Sequence, residues 1–159
     1  MKRRLVYAVV LILALSFAAV GCTGATSGTS SSSTENVQED SMKITIGDTV
    51  LTAELADNSS VDALKELLAG GPLTINMSDY ANMEKVGPIG SSLPRNDEQI
   101  TTGAGDIILY QGNSLVIYYD KNSWNFTRIG KINGVSRDEL KEILGDGEVT
   151  VTFSLEGRE

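Results

Sequence analysis

Few side chains in this sequence of 159 residues are suited to catalysis. The chain contains no His and a single Cys, Cys22. The absence of His excludes a His-based catalytic triad, His-ligated zinc and the general base whose ordinary pKa lies closest to neutral pH. What remains is chemistry for binding, with a guanidinium at Arg95 and aromatic rings at Tyr110, Tyr119 and Trp124. We expect these four residues to line a ligand-binding groove, with no catalytic residue, cofactor or metal.

Cys22 ends an N-terminal stretch that has the order of an export signal. Basic residues occupy positions 2–4, residues 5–20 are apolar except for Ser16, and small residues at 19–21 precede the cysteine. This order is typical of a secretory signal peptide. The segment resembles the lipobox of bacterial lipoproteins, with Ala19 where Leu is more usual. The resemblance implies cleavage before Cys22, a diacylglyceryl group on its sulfur, and a membrane anchor facing outside the cytoplasm.

The same stretch has two alternatives: an uncleaved membrane-anchoring helix, and ordinary cleavage that leaves a free cysteine exposed to oxidation. Its apolar run is about 16 residues long, whereas crossing roughly 30 Å of hydrocarbon takes about 20. We therefore favour lipidation, which leaves no thiol for catalysis or for a disulfide. Acyl chains would hold the protein on the membrane, since each buried methylene contributes about 0.8 kcal/mol.

The charge of the chain limits its partners. Cleavage before Cys22 removes three basic residues and moves the formal charge from −8 to −11. Such an acidic protein lacks the basic surface that nucleic acid requires, and anionic headgroups would repel it. Membrane attachment must therefore come from the lipid anchor. The acidic segments at 96–98 and 120–123 lack the ligand spacing of a calcium loop, so they predict solvated turns.

The sequence divides into three parts. Residues 1–21 form the predicted signal peptide. Residues 22–41 comprise the lipidated Cys22 and a run of Ser, Thr and Gly with almost nothing apolar to bury, which predicts a disordered tether. A coil of about 19 such residues spans roughly 22–26 Å. Residues 42–156 are enough for one compact domain.

Alternating apolar and polar residues predict strands through most of this domain. The predicted strands are residues 43–46 and 49–55 in one hairpin, 73–78, 106–110 and 114–119 in a second hairpin, 126–132, and 148–155. The segment 79–103, interrupted by Gly and Pro, predicts a long loop that carries short strands.

Two helices are predicted from their end signals. The first follows the N-cap Asn58 and stops at Gly70, and the second starts with a capping box formed by Ser136 and Glu139. Two short helices cannot cover so many strands as layers. We therefore predict a mainly β fold, a closed β-barrel capped by the two helices.

The order of these elements resembles the cyclophilin-like barrel, as in small bacterial cyclophilin-like proteins. The residues that carry the resemblance are Ile44-Thr-Ile-Gly47, Leu93-Pro-Arg95, Gly105 to Tyr110, Asn113 to Tyr119, and Ile129-Gly-Lys-Ile132. In addition, residues 121–126, around Trp124, are similar to the tryptophan-containing loop of cyclophilins. The resemblance spans residues 42–155.

Cyclophilins are peptidyl-prolyl isomerases, and the resemblance carries only part of their groove. Their groove uses an Arg beside a carbonyl-binding Gln, a floor of Phe and Met, and a His near the Trp. This chain has no His, no Arg in the corresponding strand at 73–80, and Leu115 to Tyr119 in place of the Phe-rich strand. Only Trp124 transfers. The resemblance therefore implies the barrel without its catalysis, because a fold does not fix a function.

Each candidate residue has a purely structural alternative. Arg95 could hold a carbonyl or carboxylate, or it could pair with Asp97 or Glu98. Trp124 could be a rigid contact surface, or it could be a lid over one end of the barrel.

The tyrosines lie on predicted strands, where core packing is the default. Of the adjacent pair Tyr118 and Tyr119, one must face the core and the other must face outward. The residues alone do not decide which.

Three functions follow from these observations. The first is an extracytoplasmic, lipid-anchored domain that binds a peptide or small ligand without catalysis. The second is a peptidyl-prolyl isomerase acting on exported proteins, and the third is a structural surface module without a ligand site. A concave apolar site with Trp124 exposed would favour the first over the third.

Overall fold

The structure is a computed structural model, and it describes residues 40–155. The predicted signal peptide, Cys22 and all but the last two residues of the predicted tether lie outside the described residues. The first strand begins at Ser41, one residue before the predicted start of the domain. Between residues 40 and 155, no helix is long and apolar enough to cross a membrane.

The described part of the chain forms nine strands and two helices. In chain order they are β1 (Ser41–Ile46), β2 (Thr49–Leu55), α1 (Ser59–Ala69), β3 (Leu73–Tyr80), β4 (Glu84–Pro88), β5 (Asp97–Thr101), β6 (Asp106–Tyr110), β7 (Ser114–Tyr118), β8 (Ser123–Ile132), α2 (Arg137–Leu144) and β9 (Glu148–Leu155). Both predicted hairpins, both helices and the last strand are confirmed. The short strands predicted between 79 and 103 are β4 and β5.

Eight of the strands close into an antiparallel barrel. Neighbouring strands follow the order β2-β1-β9-β3-β4-β7-β6-β8, and β8 pairs back with β2, with Ala53 opposite Ile132 and Leu55 opposite Gly130. The ninth strand, β5, pairs with the first half of β8. The predicted closed barrel is therefore confirmed. Closure leaves the barrel strands without free edges.

One hydrophobic core fills the barrel and includes both helices. An eight-stranded barrel is narrow enough for side chains to fill its interior. The helices contribute Leu64 and Leu68 from α1, and Leu140 and Leu144 from α2. The strands contribute the fully buried Met42, Ile44, Met77, Leu115, Ile117, Val151 and Phe153, among others.

The helices start where the sequence predicts. The Asn58 side chain accepts hydrogen bonds from the amides of Ser60 and Val61, and Ser136 and Glu139 form the complete capping box. These caps satisfy amides that have no partner within a helix.

A fully buried Lys85 lies on the core side of β4. Its Nζ is 2.8 Å from Oδ1 of Asp79 and donates a hydrogen bond of 2.8 Å to the carbonyl oxygen of Gly147. The Tyr119 hydroxyl donates to the same Asp79 oxygen at 3.2 Å. The hydrogen bond from Lys85 is the main reason why the pKa of Asp79 lies below its usual value. This network keeps the buried ammonium paired, as a buried charge requires.

A second apolar cluster lies on the outer face of the barrel. It is separate from the core, because side chains alternate between the two faces of a strand. Leu115, Ile117 and Tyr119 face inward, whereas Val116 and Tyr118 face outward. The outer cluster, with Met83 and Val86 packed against it, consists of Ile100, Ile108, Val116, Tyr118 and Phe126.

Candidate ligand-binding site

A cavity of about 320 Å³ opens over the outer cluster. Its volume is at the lower end of the range for small-molecule sites. It is lined by Tyr80, Glu84, Val86, Tyr110, Tyr118, Asn122, Trp124 and Phe126. The lining therefore combines aromatic side chains with the polar groups of Glu84, Asn122 and the tyrosine hydroxyls.

One side of the cavity is a row of three residues in cross-strand register. Tyr80 of β3 is opposite Glu84 of β4, and Glu84 is in turn opposite Tyr118 of β7. Directly opposed residues have Cβ atoms about 4.5–5.5 Å apart on one face of a sheet. Two phenol rings therefore flank the Glu84 carboxyl group.

The other side of the cavity comes from β8 and the end of β6. Trp124 and Phe126 are two residues apart and so share a face of β8. The ring of Phe126 lies on that of Tyr118, with centroids 5.6 Å apart and planes tilted by 53°. Trp124 is 65% exposed and Tyr110, at the end of β6, is 43% exposed. The exposed Trp124 is therefore available for contact and is not a buried lid.

Exposed aromatic surface is concentrated at this cavity. Four large hydrophobic residues are exposed in the described part of the chain: Val50, Tyr80, Tyr110 and Trp124. Three of these four line the cavity. Convergence of exposed rings on one concave site is typical of a binding surface.

A second cavity of about 520 Å³ adjoins the first and includes Arg95. The two cavities share Tyr110, Trp124 and Phe126, so together they form one groove along the outer face of β8. Arg95 makes an ion pair with Asp97. The Thr127 hydroxyl and then Arg95 lower the pKa of Asp97 by hydrogen bonding to its carboxylate. Both interpretations of Arg95 thus apply to one side chain, which lines the groove and is already paired.

The structure brings together three of the four predicted site residues. Arg95, Tyr110 and Trp124 line the groove, whereas Tyr119 is 2% exposed and lies in the barrel core. Tyr118 has the outward position instead. The inward position of Tyr119 leaves its hydroxyl satisfied, because that hydroxyl donates a hydrogen bond to the partly exposed carboxylate of Asp79.

Sequence reasoning did not select Tyr80, Glu84, Asn122 or Phe126. Tyr80 carried a usable signal, because its spacing from Ile75 and Met77 places it on the opposite face of β3. Glu84 carried none, since it lies deeper in the predicted loop 79–103, where no alternating pattern extends from the predicted strand 73–78.

Glu84 is the polar residue at the base of the groove. It is 8% exposed, and its Oε2 is the one buried side-chain polar atom without a hydrogen-bond partner in the described part of the chain. Burial raises the pKa of Glu84, and a hydrogen bond from Tyr118 opposes that rise only in part. Burial likewise raises the pKa of Tyr118, whose hydroxyl accepts a hydrogen bond of 3.2 Å from Nδ2 of Asn122.

Within residues 40–155, Arg95 in the second cavity is the only basic residue among those that line the groove. No Lys or Arg lines the first cavity there. The same residues contain no group of three or more His, Cys, Asp or Glu that could hold a metal ion.

A closed antiparallel barrel of eight strands with two helices is the architecture of a cyclophilin-like barrel protein. The profile of the Cyclophilin-like family matches residues 44–154, and the chain belongs to this family. The family predicted from the order of elements is thereby confirmed.

Among solved structures, the chain is similar to the solution structure of a hypothetical protein from Archaeoglobus fulgidus. The two chains are 15% identical and superpose with a TM-score of 0.57, over 77% of this chain and 98% of the other. At this identity the similarity concerns the fold alone. A search of curated proteins finds no match to this chain.

Proposed function

We propose that this protein is a membrane-anchored extracytoplasmic lipoprotein whose cyclophilin-like domain binds a peptide or small ligand without catalysis. The observation that carries the proposal is the convergence of Tyr80, Tyr110 and Trp124, all exposed, on one concave site. Exposing aromatic surface to water is unfavourable, so grouped exposed rings on a soluble domain typically mark a contact site. This observation favours a binding module over a structural module with no ligand site.

The polar groups of the groove support binding without catalysis. Isomerisation of a prolyl bond must lower a barrier of about 18–20 kcal/mol, and cyclophilins do so with an Arg at the reacting amide. The guanidinium beside this groove, Arg95, is held by Asp97. At the base of the groove there is instead a buried carboxyl group, Glu84. A carboxyl group in that position offers no fixed positive charge to a twisting amide.

The anchoring part of the proposal is supported by the sequence around Cys22. The predicted tether runs from that residue to Ser41, where the first strand of the barrel starts. A domain on such a tether would reach ligands within tens of ångströms of the bilayer.

Fluorescence of Trp124 tests the binding proposal directly, because it is the only Trp in the chain and lies in the groove. The mature lipidated protein in detergent micelles is titrated with a library of small organic fragments and short peptides. We expect a subset to change the Trp124 emission. Tyr110→Ala should weaken that subset at least about fivefold, since truncating an aromatic anchor typically costs more than about 1 kcal/mol.

Tyr119→Phe is the matched control, because it alters a tyrosine that lies in the core. Its affinities should equal those of the wild type. A prolyl-peptide isomerisation assay on the same protein tests the alternative. If the protein accelerates isomerisation and Arg95→Ala abolishes that acceleration, the protein is an isomerase and the proposal is overturned. The binding proposal also fails if no compound in the library changes the Trp124 emission.

A further inference from the structure

We propose that the groove recognises a positively charged nitrogen, so that its ligand carries an organic ammonium group held among aromatic rings beside Glu84. This inference rests on the proposed binding function and specifies the ligand class. It is carried by the composition of the first cavity, by the position of Glu84 in it, and by the pairing of the basic residues around it.

Aromatic rings provide most of the cavity lining. Five of its eight lining residues are aromatic: Tyr80, Tyr110, Tyr118, Trp124 and Phe126. The faces of such rings are electronegative and attract a cation within about 6 Å of the ring centre. The rings come from β3, β7, β6 and β8, so they surround the cavity from several sides. Cages of this composition are a known means of binding quaternary ammonium groups.

The Glu84 carboxyl group lies between two of these rings. It is in register with Tyr80 on one side and with Tyr118 on the other. One of its oxygens is buried and has no hydrogen-bond partner in the described part of the chain. A buried polar atom without a partner costs free energy. A ligand cation would supply the countercharge that the fold does not provide.

Two basic residues close to the groove, Lys85 and Arg95, are already paired. Lys85 follows Glu84 in the chain but lies on the core side of β4, bound to Asp79. Arg95 pairs with Asp97. These ion pairs leave the charge of Glu84 without a basic partner at the cavity.

Two further basic residues, Arg128 and Lys131, form ion pairs with Asp106. Its Oδ1 is 2.6 Å from Nη1 of Arg128 and 3.3 Å from Nζ of Lys131. Neither basic residue lines the first cavity.

The charge of the whole chain also favours a cation. The formal net charge is −8 for the full sequence. An acidic surface raises the local concentration of cations and lowers that of anions. An anionic ligand would meet the Glu84 carboxyl group without a Lys or Arg among the residues that line the first cavity.

Two compounds of nearly the same shape provide the test. Choline carries a trimethylammonium group, and 3,3-dimethylbutan-1-ol has an uncharged carbon in place of the nitrogen. Both are titrated into the mature lipidated protein in detergent micelles, with Trp124 fluorescence as the readout. We expect choline to bind at least about tenfold more tightly than the neutral alcohol, because only the cation gains from the rings and the carboxylate.

Three variants separate charge recognition from damage to the fold. Glu84→Gln should weaken choline at least about tenfold and leave the neutral alcohol unchanged. Tyr80→Ala, at a residue that is 64% exposed, should also weaken choline without a loss of the folded state. Glu66→Gln is the matched control, since Glu66 is an exposed acid on α1 that lines neither part of the groove. It should change the affinity for choline by less than about twofold.

The contrary results distinguish failure of the cation proposal alone from failure of the proposed binding function. Equal binding of the two compounds would overturn the cation proposal and leave the proposed binding function in place. The same conclusion follows if choline shows no binding up to about 10 mM while fragments of the library bind. If neither choline nor any fragment or peptide binds, the cation proposal and the binding function both fail.

Discussion

Neighbouring residues of this chain act on opposite sides of one sheet. Lys85 and Tyr119 face the core side, and both contact the partly exposed carboxylate of Asp79. Glu84 and Tyr118, each one position away, face the groove. The two networks are therefore separate, and they lead to different predictions for stability.

The first prediction concerns the buried ammonium of Lys85. Asp79→Asn should lower the free energy of unfolding by about 3 kcal/mol, because it leaves a fully buried charge without its partner. The value is at the low end for buried pairs because one third of the Asp79 side chain is exposed. Urea denaturation at neutral pH measures it.

Lys85→Met is the control for Asp79→Asn, because it removes the buried charge together with the need for a partner. It should cost clearly less. Since the pKa of Asp79 lies below its usual value of 3.8, its stabilising effect is present above that pH and is lost as the pH falls through the lower pKa of the folded state. The difference between wild type and Asp79→Asn should therefore shrink in acid. A constant difference would contradict the assigned ion pair.

The second prediction concerns the buried carboxyl group of the groove. Glu84→Gln should raise the free energy of unfolding by about 1 kcal/mol at neutral pH, because the amide carries no charge to bury. Burial raises the pKa of Glu84 above its usual value of 4.5, so ionisation disfavours the folded state. Below pH 4.5 the carboxyl group is protonated in both states, and the advantage of Gln should vanish.

Unfolding curves of wild type and Glu84→Gln across this pH range provide the measurement. A Gln variant that is less stable at neutral pH would show that the carboxylate is satisfied in the folded state. If the prediction holds, the residue that weakens the fold is also the residue that we propose to recognise the ligand. Such a trade between stability and function is common at binding sites.

Among the elements, β8 has two functions along its length. Its second half closes the barrel against β2, with Gly130 opposite Leu55. Its first half pairs with β5 and carries Trp124 and Phe126. A bulge at Ile107/Ile108, where β6 pairs with β8, separates these two halves. Bulges bend a strand and redirect its side chains, which here allows one strand to serve both the barrel and the groove.

The third prediction concerns the seam where β8 meets β2. A Cβ atom on Gly130 would collide with the carbonyl oxygen of Glu54. Gly130→Ala should therefore destabilise the protein by about 1–3 kcal/mol, because the two backbones must move apart. Thermal unfolding measures the change.

Gly103→Ala is the matched control for the seam. Neither glycine requires a positive φ, and the nearest atom to a Cβ on Gly103 is Oδ2 of Asp106 at 3.9 Å. Its melting temperature should stay close to that of the wild type. Equal melting temperatures for both variants would mean that the seam between β8 and β2 can accommodate a Cβ atom on residue 130.

At the scale of the whole molecule, charge and attachment act together. Anionic headgroups would repel the acidic domain, so the proposed attachment to the bilayer depends on the predicted lipid on Cys22. Attachment and ligand binding then belong to different parts of the chain. A substitution that removes the proposed membrane attachment should therefore leave ligand binding unchanged.

The fourth prediction tests this attachment. Cys22→Ser should abolish acylation and move the protein from the detergent phase to the aqueous phase in a phase-partition experiment. Ligand binding in the groove should be unchanged. Mass spectrometry of the wild-type mature protein should show a diacylglyceryl adduct at residue 22. An unmodified thiol, or an intact signal peptide, would refute the anchor.

The amino-acid sequence by itself predicted the family, the closed barrel, both helices and every strand except the bounds of β4 and β5. Period-two alternation and capping residues are local signals, so Asn58 and Ser136 already mark the helix starts. The lack of His likewise excluded a whole class of catalysis.

Only the tertiary structure decided the composition of the groove. Alternation requires Tyr118 and Tyr119 to face opposite ways, but the partner of the buried hydroxyl lies 40 residues away at Asp79. Glu84 enters the groove because β4 pairs with β3 on one side and with β7 on the other. Strand pairing depends on contacts between distant segments. A local pattern fixes the period of a strand but neither its neighbours nor which of its faces is buried.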